Sequence, residues 1–243
     1  MSISEAIETL RLALPGVEFA LRGTEEHNSL NRSSYQSALQ SDIVPACIVR
    51  PRTKEDISAF VKTIKPFVLA NKAAFAIVGG GRQPAPGCSN IQDGITLNLD
   101  LLTGIKVNDG IVSIAAGENW GSVYDKLVEQ GLGCSGSRSG KGGIGGLALS
   151  GGLSFFSSRE GFICDDASKA GVMLTTFLSQ VMNYELVLGS GEVVNANVNE
   201  NADLWKALRG GGSNFGVITR YDMRTFKQGW GFILLQPEFP QPS

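Results

Sequence analysis

The chain gathers most of its 31 glycines into three stretches, at 79–94, 131–152 and 210–216. Glycine has no Cβ, so a cluster of this kind marks places where the backbone takes φ > 0 or another group comes close to it. These clusters are not flexible linkers, because Ile144, Leu147, Leu149 and Leu153 are threaded through the middle one. They read as backbone-lined loops attached to core elements. Consecutive main-chain N–H groups form concave nests for anions, and nucleotide phosphates are the commonest occupant. Tight turns and close packing would account for one such loop; three in one chain favour a nucleotide site.

The segments between the loops mix helices and strands. Residues 2–14 have the pattern of a short amphipathic helix closed by Pro15-Gly16. Thr53 with Asp56 predicts a capped helix running toward Asn71, interrupted at Pro66. Strands are predicted at 74–78, 95–99 and 111–117, and Asn119 caps a helix stopped by Gly131. "YELVLGSGEVVNAN" reads as a hairpin, "ADLWKALRG" as a short helix and "FGVITRYDMRTF" as a last strand. There is no strict βαβ rhythm, so the expected class is α+β rather than a doubly wound parallel sheet.

With 243 residues, 42% of them hydrophobic, the chain is long enough for a substantial core. Its formal net charge of −2 leaves no basic footprint for nucleic acid or an anionic membrane. No stretch reaches the ~18 apolar residues of a membrane span. The N-terminus carries acids early and lacks an apolar signal core, which predicts an intracellular location. Cys47, Cys88, Cys134 and Cys164 lie far apart without a C-x-x-C pair, against zinc, iron–sulfur or a disulfide framework. His27 is the only histidine, which excludes histidine-based triads, and it reads as a solvated loop residue. Trp205 and Phe215 read as core or cofactor-rim residues, with core the better match, and Lys206 and Arg209 as cations in the last turn of a helix.

Two familiar phosphate motifs fail on inspection. "SGSRSGKGG" at 135–143 has serine where a P-loop needs its first glycine, and Gly142 where a magnesium-holding Ser or Thr belongs. "GIGGLA" at 143–148 matches G-x-G-x-x-A, but no hydrophobic strand precedes it, so the dinucleotide-binding context is missing.

Taken together and in order, "AIVGGGRQ", "GGIGGLALSGGLSFFSSREGFICDD" and "NADLWKALRGGGSNFGVITRYDMRTF" resemble three segments of one flavin-binding domain. It is that of the vanillyl-alcohol oxidase/p-cresol methylhydroxylase family, most closely the berberine-bridge-like FAD oxidoreductases. "VPACIVRPRTKEDISAFVK" resembles the opening of that domain, so the likeness covers about 41–228. The resemblance implies a two-part α+β (PCMH-type) domain, with subdomains at about 41–103 and 104–228, following a helical segment at 1–40. It implies an enzyme with FAD as cofactor and a small-molecule substrate, hydride passing to flavin N5 and oxygen or another acceptor reoxidising it. Carried over residue by residue, Gly79, Gly80 and Gly81 match the loop around the FAD pyrophosphate. Gly143, Gly145, Gly146, Gly151 and Gly152 match the second cofactor-lining stretch. Asp165 matches a flavin-side aspartate, although Asp165-Asp166 reads equally as loop capping, and Gly216 and Val217 match positions near the adenine. Gln83 belongs with the first loop.

Four departures shape the expectation. Many members tether the flavin 8α-methyl to a histidine whose place is Arg82 here, and some add a cysteine tether whose place is Ser139. Neither residue can make that bond and Cys134 stands five positions away, so the cofactor is expected to be non-covalent. Arg82 itself reads either as a pyrophosphate partner or as a surface arginine on a loop. "ASKAGVMLTTFLSQ" at 167–180 has no counterpart, and is either a genuine loop or a retained intron. The chain stops at "GWGFILLQPEFPQPS", 229–243, where the family continues into its substrate domain, so a truncated form with that domain missing is expected. The alternatives are a catalytically silent FAD or nucleotide module and, less well matched, a P-loop phosphotransferase.

Overall fold

The computed structural model describes residues 2–164 and 180–228, so Asp165, the stretch at 167–179 and the segment 229–243 lie outside the described residues. Helix α1 (Ile3–Ala13) starts at Ser2, whose side chain accepts from Glu5 N, and buries Ala6, Ile7 and Leu10. Strand β1 (Glu18–Leu21), helices α2 (Glu25–Ser33) and α3 (Ala38–Ser41), and strand β2 (Cys47–Arg50) follow. Residues 1–40 are therefore not purely helical: β1 pairs antiparallel with β2 and edges the first sheet.

Helix α4 (Lys54–Leu69) opens with the predicted capping box between Thr53 and Asp56. It runs through Pro66 rather than breaking there, because the proline falls in the last turn and costs one backbone bond near an end already short of partners. Strands β3 (Phe75–Val78) and β4 (Ile95–Asn98) complete a sheet of order β1-β2-β4-β3, in which β4 pairs parallel with both β2 and β3. Ile57, Phe60 and Ile64 project from α4 into the core at one-turn spacing, each burial contributing about 1.5–3 kcal/mol. The Phe60 and Phe75 rings meet edge to face at 5.4 Å.

Beyond β4 come β5 (Ile105–Asn108), β6 (Ile111–Ala115), α5 (Trp120–Val128), β7 (Leu132–Gly133), α6 (Ile144–Ser150) and α7 (Ser157–Glu160). Then follow β8 (Val181–Val187), β9 (Val193–Asn197), α8 (Ala202–Gly211), β10 (Val217–Arg224) and β11 (Phe226–Lys227). Five of these strands form a wholly antiparallel sheet, β5-β6-β10-β8-β9. Alternation in "IVSIA" buries Val112 and Ile114 on one face, and Tyr184 packs edge to face on Tyr221 at 5.8 Å between β8 and β10. One mixed sheet, one five-stranded antiparallel sheet and a two-stranded β11-β7 ladder, interleaved with helices, give the expected α+β class.

Three sequence expectations change. His27 is fully buried on α2, its Nε2 3.0 Å from Pro45 O, because the helix turns this position inward. Phe215 is 38% exposed, since it lies in the loop between α8 and β10. Arg209 stands in the last turn of α8 as read, but it has left helical geometry (φ −75, ψ 95) and its guanidinium lies over the Trp205 ring at 4.2 Å.

The two sheets are joined by side chains as well as by chain. Lys54 Nζ at the start of α4 reaches Glu185 Oε2 on β8 at 2.9 Å. Ser58 Oγ on α4 donates to Gly191 O in the β8–β9 turn. Glu185 also accepts from Arg220 Nη1 at 2.9 Å and Thr219 Oγ1 at 2.8 Å.

Candidate cofactor groove

The glycine loops converge. The turn after β3, the loop before α6 with that helix's first turn, and the approach to β10 line one groove of about 500 Å3. That volume is in the range of small-molecule and cofactor sites. Of the residues singled out in the sequence, Gly79, Gly80, Gly81, Arg82, Gln83, Gly143, Gly145, Gly146, Gly216 and Val217 all line it. Gly151 and Gly152 do not. Gly152 (φ +81) instead packs beneath Ile163, whose N–H donates to Gly152 O at 3.1 Å. Asp165 lies outside the described residues.

The glycines serve two different purposes. A Cβ on Gly143 would stand 2.5 Å from both N and Cα of Gly80, and one on Gly81 would collide with Ser34 O. These residues are small because backbone meets backbone. A Cβ on Gly146 would meet nothing within 4 Å, and one on Gly145 only the Tyr221 hydroxyl at 3.5 Å. Here the chain leaves room that its own atoms do not use. Gly143 caps α6 without a side-chain bond, so the amides of the first turn have no side-chain acceptor there.

The loop before α6 is held from behind. Trp120 N donates to Gly142 O at 2.9 Å, Gly121 N to Gly140 O at 2.8 Å, and Tyr124 Oη to Ser137 O at 2.6 Å. Asn119, which caps α5 through Ser122 N, forms an isolated bridge to Gly143. Arg82 links the two walls: its Nε donates to Lys141 O at 2.9 Å, leaving its terminal nitrogens for other acceptors. Arg82 thus has a defined partner across the groove, which neither sequence reading anticipated. Among the described lining residues it is the one charged side chain. A backbone-lined groove with a single guanidinium and no carboxylate suits an anionic ligand.

Tyr221, Ser137, Cys88 and Ser89 also line the groove and were not foreseen. Tyr221 is buried on β10, and burial, with the Tyr184 ring beside it, pushes its hydroxyl well above the ordinary tyrosine range. It stays protonated, a donor at the groove wall. Its place in a strand that reads simply as half-buried held no signal. Elsewhere, burial pushes the Cys47 and Cys134 thiols up to about 12, so both are inert packing groups. Among the described residues no cluster of three or more His, Cys, Asp or Glu side chains could hold a metal ion. No described helix is long and apolar enough to cross a membrane.

Comparison with known proteins decides the family, for the FAD binding domain matches residues 45–197. The chain belongs to the FAD binding domain family. It is 36% identical over 212 residues to the FAD-dependent monooxygenase tpcD of Cochliobolus heterostrophus, covering 86% of this chain and 38% of that one. Among solved structures, Physcomitrella patens BBE-like 1 superposes with a TM-score of 0.74 at 24% identity, over 90% of this chain and 44% of that one, a likeness of fold. A glucooligosaccharide oxidase from Acremonium strictum, described with a 6-S-cysteinyl, 8α-N1-histidyl FAD, gives 0.72 at 25% identity, over 91% of this chain and 42% of that one. The chain spans about two-fifths of the length of the curated relatives it matches. FAD is the cofactor of this domain, and the family is one of FAD-dependent oxidoreductases.

Proposed function

We propose that the groove between the two sheets holds FAD, its pyrophosphate along the amides of Gly79–Gly81 and those of Gly143, Gly145 and Gly146, and that it does so without a covalent bond. The unfilled space at Gly145 and Gly146, inside the groove and at the start of α6, carries the reading, since a ligand brought close to the backbone there needs positions free of side chains. Gly216 and Val217, at the foot of β10, line the groove, and the family resemblance assigns them to its adenine side. Two halves at about 41–103 and 104–228 are our reading of the unit; the four-stranded sheet supports the first, with β1 added from before residue 41, and the five-stranded sheet the second.

Bound there, FAD would supply an acceptor for a hydride from a small-molecule substrate. The chain's own residues bind and orient: amides face the phosphates, the buried Tyr221 hydroxyl donates at the wall, and Arg82 fastens the walls together. The non-covalent mode follows from Arg82, which stands where the resemblance places a tethering histidine. After reconstitution with FAD, denaturation and filtration should leave the yellow colour in the filtrate. Colour retained with the polypeptide would refute the assignment. A silent FAD-binding module is the second reading, favoured by a groove whose described lining has no histidine or carboxylate to act as a base. Oxygen consumption with candidate alcohols or sugars separates the two.

A further inference from the structure

The rim loop "RQPAPGCSN", 82–90, has little means of holding its own shape. Pro84 and Pro86 have no N–H to donate, and within the loop's backbone Cys88 N reaches Ala85 O at a long 3.4 Å. Its bonds run instead to a segment remote in sequence, the connection from α2 into α3. Gln36 N donates to Gly81 O at 3.0 Å, Ser37 Oγ to Pro84 O at 3.2 Å and Tyr35 Oη to Ser89 O at 3.1 Å. Gln40, fully buried, uses both ends of its amide: Nε2 donates to Ala85 O at 2.6 Å and Oε1 accepts from Gly87 N at 3.2 Å. Its own carbonyl takes Asn90 Nδ2 at 2.9 Å.

We propose that Ser34–Gln40 is a positioning element of the cofactor groove, with Gln40 its anchor. It holds the back of 81–90, Gln40 Nε2 also touching Cys88 Sγ at 2.7 Å and Ser89 Oγ at 3.4 Å, so that Arg82, Gln83, Cys88 and Ser89 line the groove. The segment precedes the matched family region, 45–197. The groove's rim is therefore shaped by residues outside that region. A glutamine suits the place because the loop offers both a carbonyl and an N–H there, and its carboxamide answers one with each end. The inference rests on the FAD reading of the groove.

Two measurements on the full chain test it: amide hydrogen exchange of 81–90 without FAD, and FAD affinity by flavin fluorescence. Gln40→Ala should speed exchange at Gly87 and Ser89 and weaken FAD binding, each about tenfold. Ser37→Ala, at a half-buried site that tolerates the change, should move both in the same direction by roughly two- to threefold, and serves if the first variant does not fold. Leu10→Ala is the control, because Leu10 is buried in α1 away from the loop and its loss lowers stability alone. Unchanged exchange, faster exchange with unchanged affinity, or equal weakening by Leu10→Ala at a matched thermal midpoint would each overturn the role. A wild-type chain that binds no FAD would instead sink the cofactor reading itself.

Discussion

Alanine at Gly143 is expected to cost more stability than a methyl added at Gly145 or Gly146 of the same wall. Its Cβ would lie 2.5 Å from the Gly80 backbone, and neither wall has a flexible side chain to yield. Overpacking of this kind costs about 3 kcal/mol, which lowers the thermal midpoint of a chain this size by roughly 6–12 °C. FAD affinity should fall at least about tenfold, because the two glycine loops must part. Gly146→Ala is the informative partner. Nothing lies within 4 Å of its added Cβ, so the FAD-free chain should keep its midpoint or gain slightly from better helix propensity. Its FAD affinity should nonetheless drop. If Gly146→Ala binds FAD as the wild type does, the first turn of α6 does not lie against the cofactor.

Glu185→Ala should loosen the junction between the two sheets. Glu185 gathers Lys54 from α4 and Arg220 and Thr219 from β10, with its side chain only 9% exposed. Each charge-assisted hydrogen bond there is strong, but Lys54 and Arg220 are more than a third exposed and partly screened. The expected loss is about 2 kcal/mol at neutral pH, roughly 4–8 °C in thermal midpoint. Burial pushes the Glu185 carboxyl upward, yet the bonds from Lys54 and Thr219 and the charges of Arg220 and Lys54 together hold it below the ordinary range. Asp222 behaves likewise: burial raises it, and bonds from Arg220, Ser113 and Asn183 outweigh that. A carboxyl held low in the folded state binds fewer protons there than in the unfolded chain. Its contribution is full above about pH 4–5, and fades as acid carries the pH through the lower folded value. The stability gap between wild type and Glu185→Ala should therefore stay constant down to about pH 5 and narrow below it. A gap that widened in acid would show that the carboxylate is not stabilised by its neighbours.

Much of the fold was legible in local pattern. The Thr53–Asp56 box, the Asn119 cap and the alternation at 111–115 are short-range signals, and α4, α5 and β6 form where they predict. The glycine clusters likewise pointed to the groove, and ten of the thirteen residues singled out line it. What local pattern could not separate is why each glycine is glycine. Gly80 and Gly143 are 63 positions apart in the chain, and only the fold sets one backbone against the other. Gly151 and Gly152 share the composition of Gly145 and Gly146 but lie past the end of α6, off the groove.

The same division runs through the charged and polar residues. That Arg82 cannot tether a flavin through an imidazole is a matter of its side-chain chemistry, determined by the sequence alone. That it instead fastens Lys141 O across the groove depends on two loops brought together by separate sheets. His27 and Gln40 carry polar side chains that local reasoning sends to solvent. Both are buried because long-range carbonyl and amide partners, Pro45 O for one and the 85–87 backbone for the other, offset their desolvation. Sequence by itself determined the capped helices, the alternating strands and the glycine loops, since those rest on residue type and near spacing, while the cofactor class came from the resemblance of its ordered segments to a flavin-binding domain. Tertiary structure alone decided which glycines leave space for a ligand and which make room for the chain, because that depends on what stands opposite them.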